Sequence, residues 1–498
     1  MAEAESERST VMPQVQRLRQ QLRAGADPLG ELFQQLRPAA LRRVAGAVYT
    51  PLPLVGQMLD KVSQWGVPAR VVDPGAGSGR FVLAAARRWP GAGLVAVEPD
   101  PLAALMLRAR SAALGLSPRV DVRTDDFRQV SLPAHGGVTA YIGNPPYVRH
   151  HQIGVDWKRW YTQACAQYGV KASALAGLHL HFCVRTLQLA RPGDLGCFVM
   201  AAEWLDVNYG SALRQLLTGP LGLRELEILD ATAEVFPGTA STAVIVGFRV
   251  GEGAQAVTVT RRTGLADAQS PVRHAWPPAA LSARPRWSSL VSSVPLQEVE
   301  GHRLGDLFRV HRGQVTGANA VWIPGSDAPA LPQRLLLPAI TRARELIDAG
   351  ERLVDASRLG RVAELPADLG DLSPDEREAV DRFLVWARAQ GAHDGYIARH
   401  RKAWWAVGLK PAAPILCTYM GRRPPHFSLN VCGARHVNIA HGLYPRVPVD
   451  ADALARIVAW LNRNVERAAG RTYAGGLTKF EPRELERLPL PRSLWAQA

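Results

Sequence analysis

Arg70-Val71-Val72-Asp73-Pro74-Gly75-Ala76-Gly77-Ser78-Gly79 decides the fold of this 498-residue chain. Val71 and Val72 make a short β-branched strand, the run from Pro74 to Gly79 is a glycine-rich turn, and residues 81–88 read as a helix ended by Pro90. Strand, glycine loop and helix in that order open a doubly wound nucleotide-binding sheet. The glycines let backbone approach a ligand closely, and amides at the helix start are left to donate. A second strand, Leu94-Val95-Ala96-Val97, ends in Glu98, 19 residues beyond Gly79, where a carboxylate can accept both ribose hydroxyls of an adenosine. Such a loop alone does not separate NAD from S-adenosylmethionine. Asp73 at the strand tip favours the second, because a carboxylate repels a pyrophosphate and tolerates an ammonium-bearing methionyl group.

Moving outward, a third strand at 119–123 runs into Asp125-Asp126-Phe127, an acid and an aromatic able to accept an adenine amine and pack on its ring. Next, the apolar run Val138-Thr139-Ala140-Tyr141-Ile142-Gly143 reads as a buried strand that stops at Asn144-Pro145-Pro146-Tyr147. Two prolines cannot continue a ladder, since each lacks a donor and has its φ fixed. The result is a stiff loop whose amide, carbonyls and aromatic face can hold a planar amine. Taken alone, the same four residues are also an ordinary Pro-Pro turn after a strand.

The series Tyr49-Thr50-Pro51, Asp73 to Gly79, Glu98, Asp126-Phe127 and Asn144-Pro145-Pro146-Tyr147 resembles the amino-methyltransferases that methylate adenine N6 in DNA. The cofactor loop precedes the Asn-Pro-Pro-Tyr loop, and the remaining region is C-terminal. That order is similar to the gamma subgroup typified by the TaqI methyltransferase. The likeness continues through Gly196-Cys197-Phe198-Val199-Met200-Ala201 and Glu234-Val235-Phe236-Pro237-Gly238-Thr239, then Gly313-Gln314-Val315-Thr316-Gly317-Ala318-Asn319 and Gly475-Gly476-Leu477-Thr478-Lys479-Phe480-Glu481-Pro482.

The resemblance implies an α/β fold, a doubly wound Rossmann-like methyltransferase sheet with a second, mixed α+β target-recognition domain. It implies S-adenosylmethionine (SAM) as cofactor, held by Tyr49, Thr50, Pro51, Asp73, Pro74, Gly75, Ala76, Gly77, Gly79, Glu98, Asp126, Phe127 and Asn144. Asn144, Pro145, Pro146 and Tyr147 are the implied catalytic residues, with Phe236 as a second stacking platform or, in the plainer reading, a core phenylalanine beside Pro237. An adenine amine is a poor nucleophile because its lone pair is delocalised. Two acceptors, the Asn144 side chain and the Pro145 carbonyl, draw it toward a tetrahedral shape. A base inside a duplex cannot reach such a loop, so the target must flip out and be held by stacking.

Composition bounds the partners. The formal charge is +15 with only six lysines among 59 basic residues, which suits a polyanion such as double-stranded DNA. A GC-rich genome would give the same excess of arginine. Five scattered cysteines with no CxxC pair indicate neither a zinc site nor a disulfide framework, and no metal is expected. No stretch approaches 18 consecutive apolar residues, so the protein is expected in the bacterial cytoplasm, at the nucleoid and not at a membrane. None of the lysines follows a glutamate at Glu-x-Lys spacing, so any cognate restriction endonuclease should be a separate chain; a monomer is expected.

The chain divides into a helical preface (1–45), a catalytic domain (46–255), a proline-rich connector (256–300) and a target-recognition domain (301–498). The preface is either a DNA-facing arm or a solvated amphipathic helix. Trp157-Lys158-Arg159-Trp160-Tyr161 is either a flexible wall over the cofactor or a packed helix. Residues 364–381 carry seven carboxylates and one arginine and read as a solvated outer helix. Residues 395–449 hold eight Lys or Arg and no Asp or Glu, interleaved with aromatics, and are the first choice for the DNA-facing surface. Expected DNA contacts are Arg149, Thr316, Asn319, Arg401, Lys402, Arg422, Arg423 and Lys479, with Trp404 and Trp405 either beside them or in the core. Three rivals stay open: a catalytically silent DNA-binding subunit, an RNA adenine methyltransferase, and a methyltransferase for a protein glutamine amide.

Overall fold

Helices and strands alternate along the first part of the computed structural model, as the spacing of its apolar runs requires. α1 (Ala2–Arg23), α2 (Pro28–Leu36) and α3 (Leu52–Trp65) precede β1 (Arg70–Asp73). Then come α4 (Arg80–Arg88), β2 (Gly93–Val97), α5 (Pro101–Ala113), β3 (Val120–Arg123) and β4 (Thr139–Gly143). After α6 (Val155–Ala166) and α7 (Leu178–Leu189) follow β5 (Leu195–Ala201), α8 (Ser211–Thr218), β6 (Leu223–Leu229), β7 (Ala243–Arg249), β8 (Val257–Arg262) and β9 (Val272–Trp276). The structure describes residues 2–36, 49–229, 242–262, 272–291, 302–466, 470–473 and 477–495. Two units are distinguished: Met1–Ser293 with Tyr473–Gly476, and Val294–Thr472 with Leu477–Ala498.

The first unit is built on one nine-stranded sheet in the order β3-β2-β1-β4-β5-β7-β6-β8-β9. β1 to β5 are parallel to one another, and β7 is antiparallel between β5 and β6. Parallel strands covered on both faces read as near-continuous apolar runs, and all five residues of β4 are buried. Its side chains alternate between two cores. Ala140 and Ile142 join Val71, Leu94 and Val199 under α3 and α4, whereas Tyr141 joins Val72 and Phe198 among residues of α6, α7 and α8. The doubly wound α/β architecture is therefore present, and the strand order reverses between β1 and β4.

One boundary differs from the sequence reading. Residues 257–276, expected in a connector, supply β8 and β9. β8 runs parallel to β6 over Glu225–Leu229 and β9 closes the edge antiparallel to it. The alternation Val257-Thr258-Val259-Thr260 was the missed signal: both valines are fully buried. Pro277 follows β9 and caps the short helix Pro278–Ser282. Among the described side chains of the preface, Leu22, Asp27 and Phe33 are buried while most others are exposed or half-buried, the pattern of an amphipathic helix pair.

The second unit is a mixed α+β assembly. Its five-stranded sheet runs Phe308–Arg312, Ala440–Pro445, Ile415–Thr418, Phe427–Asn430, Arg352–Leu353, and the helix Ala451–Asn464 packs on it through Leu454, Ile457, Val458 and Leu461. A three-stranded sheet holds Gly360–Ala363, Leu336–Ile340 and Arg435–His436. The acidic stretch begins the helix Pro374–Ala389, whose Ser373 and Glu376 form a capping box. No described helix is long and apolar enough to cross a membrane.

Candidate active site

In open α/β sheets ligands bind beyond the carboxyl ends of the strands where strand order reverses. Here that point lies between β1 and β4, and the two loops leaving it meet. A Cβ placed on Gly75 would sit 3.6 Å from Pro146 Cδ and 3.7 Å from the Asn144 carbonyl oxygen. The strand tips touch as well: a Cβ on Gly143 would lie 2.8 Å from Asp73 Oδ1. Asp73 is fully buried, and neither carboxylate oxygen has a hydrogen-bond partner. Desolvation, reinforced by the charge of Glu98, pushes its pKa up to about 8. The sequence placed this carboxylate at the strand tip; the structure encloses it.

The glycine loop is held from the neighbouring strand. Ala76 N donates to the Val97 carbonyl at 3.0 Å, and Glu98 Oε2 accepts from Gly77 N at 2.8 Å while its Oε1 accepts from Asp100 N at 2.9 Å. Gly79 caps α4 at φ +89°, a left-handed conformation costly for any residue with a Cβ, and Leu107 would crowd that Cβ at 2.9 Å. Pro74 and Ala76 complete the turn, and Tyr49 lies above it, its ring 3.8 Å from a Cβ on Gly77. An unpartnered buried carboxyl, a carboxylate at the end of β2 and a cradle that admits close backbone approach fit an adenosyl cofactor with an ammonium group.

Thr50 joins the two loops. Its hydroxyl accepts from Asn144 Nδ2 at 3.1 Å, and its carbonyl accepts from Arg80 Nη1 at 3.0 Å. Pro51 caps α3, its carbonyl accepting from Leu54 and Val55. Pro145 is buried, and the Tyr147 hydroxyl donates to the Val199 carbonyl at 3.4 Å. His179 stands edge-on to the Tyr147 ring at 6.0 Å, buried, with neither ring nitrogen hydrogen-bonded. Burial pushes its pKa down to about 4, so it is a neutral wall. His179 and Phe182, which lies 3.8 Å from a Cβ on Gly75, were not singled out as site residues; only their i, i+3 spacing on α7 hinted that they share a face.

Other expected residues sit differently. Asp126 does not wait open for an amine: despite burial, bonds from the Arg128 side chain and amide hold its carboxyl below the usual range. Phe127 is buried in the core with its ring 5.2 Å from Phe182. The Trp157 to Tyr161 stretch is the packed helix α6, with Tyr161 stacked on His181 at 4.5 Å. Phe236 lies outside the described residues; the flanking strand ends, Leu229 and Ala243, pair beside Ala201 at the carboxyl edge of β5.

In the second unit the expected DNA contacts divide into two groups. Lys402, Arg422, Arg423 and Asn319 are exposed, as is Arg149 in the first unit. Thr316 is buried, and Arg401 Nη2 donates to the carbonyls of Val315 and Thr316 at 2.8 Å each, so both serve as framework. Lys479 pairs with Glu481 and lies 5.0 Å from the centre of the Tyr419 ring. Trp404 and Trp405 pack against the core that contains Trp322 and Phe383.

Comparison with known proteins agrees with this architecture. Residues 121–236 match the Eco57I restriction-modification methylase family, and residues 294–498 match the C-terminal domain of the type II methyltransferase M.Eco57I. The chain is 55% identical over 485 residues to the type II methyltransferase M.XamI of Xanthomonas campestris pv. amaranthicola, covering 96% of this chain and 91% of that one. It is 29% identical over 289 residues to M.TthHB8I of Thermus thermophilus, covering 55% of this chain and 60% of that one. The type IIL restriction-modification enzyme MmeI, solved in complex with DNA, shares the fold with a TM-score of 0.59 at 12% identity, over 93% of this chain and 69% of that one.

Proposed function

The chain belongs to the Eco57I-type restriction-modification methyltransferase family, and from that premise we propose that it transfers a methyl group from SAM to the N6 amine of a flipped-out adenine in double-stranded DNA, as in the gamma subgroup. The observation that carries this reading is the contact between Gly75 and the Asn144-Pro145-Pro146-Tyr147 loop at the reversal of strand order. Bound there, SAM supplies an electrophilic methyl group on a sulfonium centre.

The residues of this chain do the rest. The bond from Asn144 Nδ2 to Thr50 fixes the turn of the amide. Its side-chain oxygen and the Pro145 carbonyl each accept one hydrogen of the target amine, drawing the nitrogen out of the ring plane. Holding nitrogen and methyl in line supplies much of the acceleration. Positive charge growing on the amine is met by these two acceptors and by the face of Tyr147, which its hydroxyl bond and His179 hold in place. No general base is needed ahead of transfer, because the proton leaves after the methyl arrives. Glu98 is assigned to the ribose, Asp73 to the methionyl end, Phe236 to the second face of the extruded base. Lys402, Arg422 and Arg423 are assigned to DNA phosphates.

The test is the product. Unmethylated plasmid DNA treated with the protein and radiolabelled SAM, then digested to nucleosides, should carry label only as N6-methyl-2′-deoxyadenosine. Asn144→Ala should abolish incorporation, a loss of at least ~10²-fold by analogy with removal of one transition-state hydrogen-bond partner, while SAM still binds. Label on cytosine, on RNA alone or on protein refutes the assignment.

A further inference from the structure

Asp27 follows Ala24-Gly25-Ala26 in the turn between α1 and α2, a place where an aspartate would ordinarily be solvated. Its side chain is instead wholly inaccessible, and both oxygens are saturated. Oδ1 accepts from Gly30 N at 3.0 Å and Arg110 Nη1 at 2.9 Å; Oδ2 accepts from Ser78 Oγ and Arg80 Nε, each at 2.7 Å. The fit leaves no slack: a Cβ on Gly30 would lie 2.2 Å from Asp27 Oδ2 and 2.6 Å from Ser78 Oγ.

These partners are not arbitrary neighbours. Ser78 lies inside the glycine loop, Arg110 also donates to the Ser78 carbonyl, and Arg80 is the first residue after Gly79. Arg80 spans the gap. Its Nε meets Asp27, its Nη1 donates to the Thr50 carbonyl at 3.0 Å, and its guanidinium lies 5.2 Å from the centre of the Tyr49 ring. The Thr50 hydroxyl in turn receives Asn144 Nδ2 at 3.1 Å. A continuous series of hydrogen bonds thus runs from the N-terminal helices to the amide of the Asn-Pro-Pro-Tyr loop.

We infer that Asp27 is a positioning residue for methyl transfer, holding the glycine loop through Ser78 and orienting Asn144 through Arg80 and Thr50. This rests on the function proposed above. A buried carboxylate between two guanidiniums is weak evidence for stability alone, since desolvation offsets much of the attraction. Its value here is geometric. Without the charge, Arg80 and Arg110 repel each other across the back of the loop, and Thr50 loses the restraint on its carbonyl.

The experiment compares full-length wild type with Asp27→Asn in steady-state methyl transfer on unmethylated plasmid DNA, with SAM affinity from calorimetry. The expected result is a KM for SAM raised tenfold or more and a kcat lowered tenfold or more, with the KM for DNA within twofold of wild type. Both SAM parameters within threefold of wild type overturn the inference. So does a lower kcat with the KM for SAM and the KM for DNA both raised, together with a lower melting temperature, which marks a merely structural residue. If Asp27→Asn does not fold, Gly30→Ala, whose methyl group must push the carboxylate away from Ser78 and Arg80 while leaving its charge, is judged by the same numbers. A wild type that leaves no N6-methyladenine overturns the proposed function instead, and Asp27 is then judged by calorimetric SAM affinity alone.

Discussion

At the tip of β1 the Asp73 carboxyl has no contact with water and no hydrogen-bond partner, and burial pushes its pKa up to about 8. The folded protein therefore keeps a proton that the unfolded chain releases near pH 4. That contribution to stability is fully present below the unfolded pKa and is lost as pH rises through about 8. Buried histidines such as His179 contribute the opposite slope below about pH 6.5. The Asp73 contribution is therefore read as the difference between wild type and variant between about pH 6.5 and 8 in the ligand-free protein, where wild type should lose melting temperature relative to Asp73→Asn as pH rises. In Asp73→Asn that part of the slope should vanish, as thermal scans at a series of pH values would read. An unchanged slope in the variant refutes the buried, protonated carboxyl. Residue identity was legible from sequence here, but protonation state was not: it depends on Gly143 and Val82, which only folding brings to Asp73. Asp126 makes the same point with the opposite sign, because Arg128, two residues on, engages the acceptor that sequence left open.

Elements were most legible where apolar period and turn chemistry agreed. β1, β2 and β4 form where their valines and isoleucine predicted; α5, not read from sequence, starts at Asp100, whose side chain accepts from the amides of Leu102 and Ala103. Local cues misled where they competed with long-range pairing. Between residues 256 and 300 the prolines outweighed a short alternation, yet β8 finds β6, a strand some thirty residues earlier in the chain, and buries Val257 and Val259. Val259→Ala should therefore cost about 2 kcal/mol in denaturant unfolding, the scale of a buried aliphatic truncation. A change within about 0.5 kcal/mol, usual for an exposed site, would put that segment back in a linker. The tie between the N-terminal helices and the glycine loop was not legible for a related reason: nothing within α1 or α2 announces that Asp27 will meet Ser78, Arg80 and Arg110.

Over the whole molecule a formal charge of +15 favours a polyanion, but charge count does not say which side chains reach it. Arg422 and Arg423 are exposed, whereas Arg401, read from the same basic stretch, is committed to backbone carbonyls. Under the proposed function, DNA affinity should fall steeply with salt. The double variant Arg422→Ala/Arg423→Ala should lower affinity alike for all sequences and reduce the slope of log K against log salt by about 2. Arg401→Ala should leave that slope alone and lower the melting temperature. Binding titrations between low and moderate salt check both; a flat wild-type titration would remove DNA as the partner. By itself the sequence determined the glycine turn, the stiff Pro-Pro loop and the strands between them, because glycine, proline and β-branched residues act on their own backbone through sterics. Only the tertiary structure decided that these two loops meet, that Asp73 is enclosed and that Asp27 stands behind them. Those facts depend on which strands become neighbours and what each side chain loses to water, and neither is a property of any local stretch.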